Sequence, residues 1–312
     1  MGPLTEVEIA QRLDPELTVG VAGTLPPHLP AGELTVDLVR EIDRGLAVIA
    51  EASGSSEWIP RPDGSQLELR RHLPTTLDSS ISRSVILWIH GGGMFLGSAR
   101  QDDANAQALS DALGIRIASV DYRLAPEHPY PEPLDDCYTA LAWLAERYDR
   151  VVVVGASAGG GLAAGLTLLA RDRSRPAIAG LLLAYPMLDD RETAGARQLA
   201  NTVVWNARLN RLGWDAYLGA GSADEYAVPA RAVDLTGFPP TYLDTGDLDL
   251  FFDEDSAFAE KLRAAGVPLD FVVEHGAVHG FDLIAPEAQV SRRTIRRRRD
   301  WLARILRAEA AA

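Results

Sequence analysis

From about residue 65 onward, short apolar runs alternate with stretches whose apolar residues recur every three to four positions. Near-continuous apolar runs, typical of strands covered on both faces, occur at 84–90, 118–122, 151–155, 179–186, 240–246 and 269–275. Helical patterns lie between them near 102–113, 134–148, 159–171, 253–265 and 290–308. This alternation predicts βαβ units, and therefore an α/β domain with a mainly parallel sheet.

Three regions depart from this alternation. Residues 65–73, SQLELRRHL, alternate apolar and polar positions, which predicts an antiparallel edge strand. Residues 1–55 are largely helical in pattern, and residues 188–235 insert helical, tryptophan-containing sequence between two strands. We interpret these two regions as parts of a helical cap over one end of the sheet, with 56–187 and 236–312 as the core. The alternative is that both are peripheral helical decorations.

Composition narrows the class of protein. The chain has 312 residues, 47% of them hydrophobic, which is enough for one sizeable domain with a large core. A net charge of −14 argues against a nucleic-acid partner. The single cysteine, Cys137, excludes an intramolecular disulfide and is expected to be a buried thiol. No signal-peptide pattern and no run of roughly 18 apolar residues is present, so we expect a cytoplasmic protein without a membrane partner.

The arginine-rich segment 292–307 does not change that expectation. Ile295, Leu302, Ile305 and Leu306 are spaced as an apolar stripe, and the arginines are predicted to occupy the solvated face of a helix near its C-terminus, where cations are favoured.

The segment 151–161, VVVVGASAGGG, is the first candidate for chemistry. A flexible linker is excluded because a strand precedes it and an apolar helix follows. A phosphate-binding loop has weak support, because Gly159, Gly161 and Ala164 fit G-x-G-x-x-A but begin four residues after Gly155, and no acidic residue follows at the usual distance. The third interpretation is a sharp turn that exposes Ser157 as a nucleophile.

That third interpretation fits every position, because Gly155-Ala156-Ser157-Ala158-Gly159 is G-x-S-x-G between a strand and a helix. The serine needs a strained backbone conformation, and the two glycines avoid side-chain clashes. A second glycine loop, His90–Phe95, follows another strand. The N–H groups of Gly91 and Gly92, with that of Ala158, would form an oxyanion hole, whereas the alternative for this loop is a glycine-rich turn without function.

A serine nucleophile also needs a base and an orienting acid. Of the six histidines, His279 is favoured because it lies in the loop after the last strand, where sheet enzymes place their chemistry. His90 is expected to brace the glycine loop, and a metal site at His275 and His279 is disfavoured because further ligands are lacking. The acid is expected after the preceding strand, and spacing leaves five candidates open: Asp244, Asp247, Asp249, Asp253 and Asp255.

Taken together, five stretches resemble the hormone-sensitive-lipase-like family of α/β-hydrolase carboxylesterases. They are HGGG at 90–93, YRLAPEHPYPEPLDD at 122–136, G-x-S-A-G-G around Ser157, G-x-x-D-x-x-x-D-E at 246–254 and HGF at 279–281. The resemblance implies an α/β-hydrolase fold with a mostly parallel eight-stranded sheet, flanking helices and a helical cap. It also implies Ser157 as nucleophile, His279 as general base and acid, and Asp249 as orienting carboxylate. Dimerisation is an expectation at the level of the family.

The implied function is a cofactor-independent serine carboxylesterase acting on small short- to medium-chain acyl esters. Candidates for lining the substrate pocket are Met94, Phe95, Trp205 and Trp214. An amidase or acyltransferase would use the same triad. A non-catalytic small-ligand receptor on the same fold is the alternative from another class, and the presence of His279 argues against it.

The chain departs from the family pattern at two places. Ala156 stands where the family usually has Asp, and Leu250-Phe251-Phe252 stands where Pro-Leu-Arg is typical. Neither change removes a group of the implied triad, and both bear on substrate preference and local loop packing.

Overall fold

A computed structural model of the chain describes residues 2–22, 34–46, 54–221 and 223–308. Within these ranges eight strands form one sheet. They are β1 (Ser55–Pro60), β2 (Gln66–His72), β3 (Ser84–Ile89), β4 (Arg116–Val120), β5 (Arg150–Ala156), β6 (Gly180–Ala184), β7 (Thr241–Gly246) and β8 (Leu269–Glu274).

The same ranges contain the α-helices that surround the sheet. They are α1 (Glu6–Arg12), α2 (Thr18–Ala22), α3 (Val36–Leu46), α4 (Asp103–Leu113), α5 (Glu132–Ala145), α6 (Ala158–Asp172), α7 (Ala194–Gln198), α8 (Ala207–Leu218), α9 (Phe252–Ala264), α10 (Phe281–Ile284) and α11 (Gln289–Arg307). Short 3-10 turns occur at Pro15–Leu17, Ser79–Ile81, Ala99–Asp102 and Pro229–Arg231.

The strand order β1-β2-β4-β3-β5-β6-β7-β8 confirms the predicted eight-stranded, mostly parallel sheet. Strands β3 to β8 run parallel, and β2 is antiparallel to both of its neighbours. The prediction that β2 is an edge strand is wrong, because β1 occupies that edge. Only Ile59 is buried in β1, so its sequence gives little hydrophobic signal.

The central strands are covered on both faces, as their apolar runs predict. Successive residues of β5 alternate between two cores: Val153 packs with the residues of α5 and α6, and Val152 packs with the residues of α11. Each fully buried valine or leucine contributes about 1.5–3 kcal/mol to stability. The two-sided burial therefore fixes the strand ends, and with them the loops at the carboxyl edge of the sheet.

The N-terminal segment is held against these loops. The N–H of Leu4 donates to the carbonyl of Gln198 over 2.7 Å. Arg40, on α3, donates to the carbonyl oxygens of Phe95 (2.9 Å) and Ala125 (2.8 Å) and forms an ion pair with Glu127. The helical pattern is confirmed at α1 and α3, whereas its continuation through residue 50, and His28, lie outside the described residues. The division into core and cap stays a prediction.

Two expectations for the C-terminal helix α11 are wrong: that Ile295 belongs to its apolar stripe and that all of its arginines are solvated. Leu302, Ile305 and Leu306 are buried, but Ile295 is 43% exposed and does not belong to the stripe. Arg298 is not on the solvated face: its side chain is 13% exposed and forms ion pairs with Asp244 and Asp282. The reason is helical geometry, because the 4-3-4 spacing of Thr294, Arg298, Trp301 and Ile305 puts all four on the side that faces the sheet.

Among the described helices, none has both the length and the apolar character that a membrane crossing requires.

Candidate active site

Ser157 stands at a sharp turn between β5 and α6. Its backbone has φ +54° and ψ −123°, a conformation that is strained for a residue with a side chain. A Cβ at Gly155 would lie 2.2 Å from the carbonyl oxygen of Gly159, and a Cβ at Gly159 would lie 2.1 Å from that of Ile89. The prediction that both positions require glycine is therefore confirmed.

Three side chains form a hydrogen-bonded chain at this turn. Nε2 of His279 lies 2.9 Å from Oγ of Ser157, and Nδ1 lies 2.8 Å from Oδ2 of Asp249. The second carboxylate oxygen, Oδ1, accepts the N–H of Phe251 over 3.0 Å. The exposed fractions of Ser157, His279 and Asp249 are 6%, 5% and 0%. The chain of contacts is thus shielded from water along its length.

Two loops at the carboxyl edge of the sheet bring Asp249 and His279 together. After β7 the chain turns back, and the N–H of Asp249 donates to the carbonyl of Gly246. The N–H of Leu248 donates to the carbonyl of Ala277, in the loop after β8. A Cβ on Gly246 would lie 2.1 Å from that same carbonyl oxygen. Close packing of the two loops therefore sets the distance between carboxylate and imidazole.

The other aspartates of the region have different partners. Asp247 lies 2.9 Å from Nδ1 of His275, and Asp244 is paired with Arg298. Asp253 accepts the N–H of Gly195. Asp255 is fully buried, and burial raises its pKa well above the usual value. Among the five candidates that spacing left open, Asp249 is the one that contacts His279.

His90 braces the glycine loop, as expected. Its ring is fully buried and stacks on Tyr122, with centroids 4.1 Å apart and planes 11° from parallel. Nδ1 lies 2.7 Å from the carbonyl oxygen of Gly91, so Nδ1 carries the proton. Burial lowers the pKa of His90. The hydroxyl of Tyr122 donates to the carbonyl of His90, and these contacts fix the start of the loop.

The glycine loop packs directly on the serine turn. A Cβ on Gly91 would lie 3.2 Å from Cβ of Ser157, and Gly92 adopts φ +116°, which favours glycine. Within the described ranges, the N–H groups of Gly91, Gly92 and Ala158 donate to no protein acceptor. Ala158 is also the first residue of α6, where the helix dipole is positive. The arrangement suits a developing negative charge beside Ser157.

Three aromatic rings surround the imidazole of His279. Tyr185 lies 4.9 Å from it and Phe251 lies 5.0 Å from it, both edge to face, and Trp205 lies 6.5 Å away at a tilt. Trp205 also fills the space beside Gly93, where a Cβ would lie 2.2 Å from its ring, and its ring lies 6.1 Å from Phe95.

The four candidate lining residues therefore differ in their relation to the serine. Trp205 contacts the site itself, and Phe95 contacts Trp205. Trp214 packs against Tyr217, 6.1 Å between centroids. The methyl of Met94 lies 3.4 Å from the Cβ position of Gly161, on α6.

Ala156 stands where the family usually has an aspartate, and the sheet register shows which residues would surround that carboxylate. Ala156 pairs with Ala184, and Ala184 pairs with Asp244. Register partners share a face, and neighbouring strands are about 4.8 Å apart, so an aspartate at 156 would stand roughly 10 Å from Asp244 on the same face. Nearby on this face, Trp88 donates to Asp102, whose pKa burial raises to about 6.

The sequence did not identify three residues that lie next to this site. Tyr185 directly follows β6, and its hydroxyl donates to Asp282, which accepts Arg298 as well. The spacing of Arg298 on the buried side of α11 was a usable signal. Tyr185 gave none, because a tyrosine after a buried strand is ordinary.

The described residues include no cluster of three or more His, Cys, Asp or Glu side chains arranged to hold a metal ion. His275 and His279 have separate carboxylate partners.

Comparison with known proteins agrees with this fold. Residues 86–283 match the profile of a family described as having the alpha/beta hydrolase fold. The chain is 35% identical to carboxylesterase NlhH of Mycobacterium tuberculosis over 224 residues, which cover 65% of this chain and 69% of the relative. It is 28% identical to ethyl acetate hydrolase of Pseudomonas putida over 275 residues, covering 81% and 85%. Among solved structures, a bacterial heroin esterase superposes with a TM-score of 0.85 at 34% identity, covering 96% of this chain and 99% of that one.

Proposed function

The chain belongs to the α/β-hydrolase family that its residues 86–283 match, among carboxylic ester hydrolases, and on that premise we propose that it cleaves acyl esters through an acyl-enzyme on Ser157. The observation that carries the proposal is the unbroken hydrogen-bonded chain from Asp249 through His279 to Ser157. A serine hydroxyl is a weak nucleophile until a base accepts its proton. In this series of hydrogen bonds His279 is the base.

In the first step, Oγ of Ser157 attacks the carbonyl carbon of the ester while its proton passes to Nε2 of His279 over 2.9 Å. The imidazole becomes imidazolium, and the ionised Asp249 at 2.8 Å stabilises it and fixes its orientation. The imidazolium then protonates the leaving alcohol. Water attacks the acyl-enzyme in the second step, with His279 again accepting and returning a proton.

Negative charge develops on the former carbonyl oxygen in both steps. The N–H groups of Gly91, Gly92 and Ala158 are the donors for it, because Gly91 packs on Ser157, Gly92 and Ala158 follow these two residues in the chain, and all three N–H groups are free of other acceptors among the described residues. Removing one donor from such a site typically lowers kcat by about 10²–10³-fold.

The substrates we propose are small esters with short to medium acyl chains. Trp205 supports this class, because its buried ring lies between the glycine loop and His279 and limits the room beside the serine. Phe95 backs that ring. Met94 and Trp214 stay proposed as lining residues of the same pocket.

The proposal is tested by hydrolysis of p-nitrophenyl esters of increasing chain length, comparing wild type with Ser157→Ala. We expect activity that falls as the acyl chain lengthens, and a loss of at least about 10⁴-fold in kcat in the variant. Stoichiometric labelling of the wild type by a fluorophosphonate, absent in Ser157→Ala, would identify the nucleophile.

Unchanged hydrolysis by Ser157→Ala would overturn the mechanism. Hydrolysis of anilides in preference to esters would instead favour an amidase, and tight binding of a small ligand without turnover would favour a receptor. Thermal unfolding of both proteins is the control, because the hydroxyl-to-hydrogen change should leave the fold intact.

A further inference from the structure

A buried polar network lies next to the imidazole of His279. Tyr185 contacts the imidazole edge to face at 4.9 Å, and its hydroxyl donates to Oδ1 of Asp282 over 2.8 Å. Arg298 donates to Oδ2 of Asp282 and makes two 2.7 Å hydrogen bonds to Asp244. All four side chains are largely removed from solvent. The network therefore joins three separate elements, β7, α10 and α11, to one aromatic ring.

The backbone of Tyr185 is tied to the nucleophile as well. The N–H of Ser157 donates to the carbonyl of Ala184, and the N–H of Met187 donates to the carbonyl of Ser157, both over 2.9 Å. Tyr185 lies between these two residues, so its ring position is coupled to the serine backbone on one side and to His279 on the other.

The conformation of Tyr185 needs support from outside. Its φ is +36°, in the region that residues with a side chain rarely adopt, and such backbones persist where surrounding contacts hold them. The hydrogen bond to Asp282 supplies one contact. The guanidinium of Arg298 stacks over the ring at 5.2 Å and supplies a second. Burial raises the pKa of the Tyr185 hydroxyl well above its usual value, so the hydroxyl stays a donor.

We propose that Tyr185 is a positioning residue for the reaction: its ring holds the imidazole of His279 in line with Ser157, and Asp282 and Arg298 hold the ring. The inference rests on the proposed function, because it assigns His279 as the base. Displacement of a reacting group by about 1 Å lowers rates by about 10²-fold. Loss of the ring should therefore act on kcat rather than on substrate binding.

The test compares Tyr185→Leu and Tyr185→Phe with Tyr242→Leu. Tyr242 is a matched control, since it is a buried tyrosine on the same face of the sheet whose ring packs on Trp301, 6.0 Å away. Steady-state kcat and KM on a p-nitrophenyl ester, the single-turnover acylation rate and the thermal unfolding midpoint are measured for each.

We expect Tyr185→Leu to lower kcat and the acylation rate about 10–100-fold with KM within about twofold. Tyr185→Phe keeps the ring and should recover most of that loss, to within about fivefold of wild type. Tyr242→Leu should lose comparable stability but no more than about threefold in kcat. A Tyr185→Leu enzyme within threefold of wild type, or equal losses in Tyr185→Leu and Tyr242→Leu, overturns the proposal.

If Tyr185→Leu fails to fold, a comparison of Asp282→Asn with Asp244→Asn tests the positioning role of Tyr185. Both variants weaken the contact with Arg298, but only Asp282 holds the tyrosine hydroxyl. We expect Asp282→Asn to lower kcat about 3–10-fold beyond Asp244→Asn at unchanged KM, and equal kcat values overturn the proposal. Ser157→Ala is assayed as a control together with all of these variants. Activity retained there contradicts the proposed function itself, whereas an inactive Ser157→Ala beside a normal Tyr185→Leu contradicts only the positioning role.

Discussion

Two aspartate–histidine pairs connect the loops after β7 and β8, and they are nearly identical in geometry. Asp247 and His275 are joined at 2.9 Å, and Asp249 and His279 at 2.8 Å. In each pair the histidine offers Nδ1, and the second carboxylate oxygen accepts a backbone N–H, from Gly276 in one and from Phe251 in the other.

The pairs differ in burial and in what the second ring nitrogen contacts. The side chains of Asp247 and His275 are 32% and 87% exposed, whereas those of Asp249 and His279 are 0% and 6% exposed. Exposed ion pairs contribute only about 0–1 kcal/mol, because water competes for both partners. An aspartate–histidine contact therefore becomes catalytic through its surroundings, which here are a nucleophile hydrogen-bonded to Nε2 and the exclusion of water.

The largest test of this comparison removes each imidazole in turn. His279→Ala should lower kcat/KM for a p-nitrophenyl ester by about 10⁵-fold, because within the part of the chain that the structure describes His279 is the base hydrogen-bonded to the Ser157 hydroxyl. His275→Ala should stay within about twofold. A substantial loss in His275→Ala, in protein that unfolds at the wild-type temperature, would show that the exposed pair takes part in turnover.

The second test removes each carboxylate charge. Asp249→Asn should lower kcat by about 10³–10⁴-fold, because an amide at this position favours the wrong imidazole tautomer and leaves the imidazolium without a counter-charge. Asp247→Asn should change kcat by less than about twofold. The same pair of variants tests Asp249 against Asp247 as the orienting acid, and a larger loss of kcat in Asp247→Asn would contradict our assignment.

A third test asks what burial does to a carboxylate that lacks an imidazole partner. Asp102 is such a group: burial raises its pKa to about 6, while an aspartate in an unfolded chain has a pKa of about 3.9. The folded state therefore binds the proton more tightly. This contribution to the unfolding free energy is favourable at low pH and is lost as the pH rises through the two pKa values. The full loss is about 3 kcal/mol, of which about 2 kcal/mol falls between pH 4 and pH 6.

The prediction is that Asp102→Asn, which retains an acceptor for the Trp88 N–H, abolishes this pH dependence. The difference in unfolding free energy between variant and wild type should shift by about 2.5 kcal/mol in favour of the variant between pH 4 and pH 7.5. Denaturant unfolding at the two pH values measures the shift. A difference that stays constant with pH would mean that Asp102 titrates normally in the folded protein.

These comparisons also show how far the sequence predicts the molecule. The parallel strands and the serine turn followed from local rules, because two-sided burial and the need for glycine at 155 and 159 act within a few residues. The choice of Asp249 did not follow from spacing, because it depends on the contact between Gly246 and Ala277, 31 positions apart in the chain. The family resemblance supplied that choice.

What the sequence missed has the same physical origin. Strand β1 buries only Ile59 and is held by pairing with β2. The sequence of β1 alone does not predict that pairing. Arg298 looks like one more arginine of a charged helix, yet its two carboxylate partners come from β7 and α10. Side chains that are satisfied only by distant partners are read from a structure and not from a local pattern.

The smallest expected effect concerns the ring that closes the buried pair. Phe251→Leu restores the residue that is typical of the family at this position and keeps the backbone N–H that holds Asp249. The ring-to-isobutyl change should lower the free energy of unfolding by about 1–1.5 kcal/mol. It should leave kcat within about threefold, because it alters neither the hydrogen bonds of His279 to Asp249 and Ser157 nor the contact of His279 with Tyr185. Kinetics and denaturant unfolding of the same preparation measure both quantities. If kcat instead falls more than tenfold while stability is unchanged, then the Phe251 ring itself is needed to exclude water from the Asp249–His279 pair. The difference in burial between this pair and the Asp247–His275 pair would then depend on that ring more than on the rest of the loop.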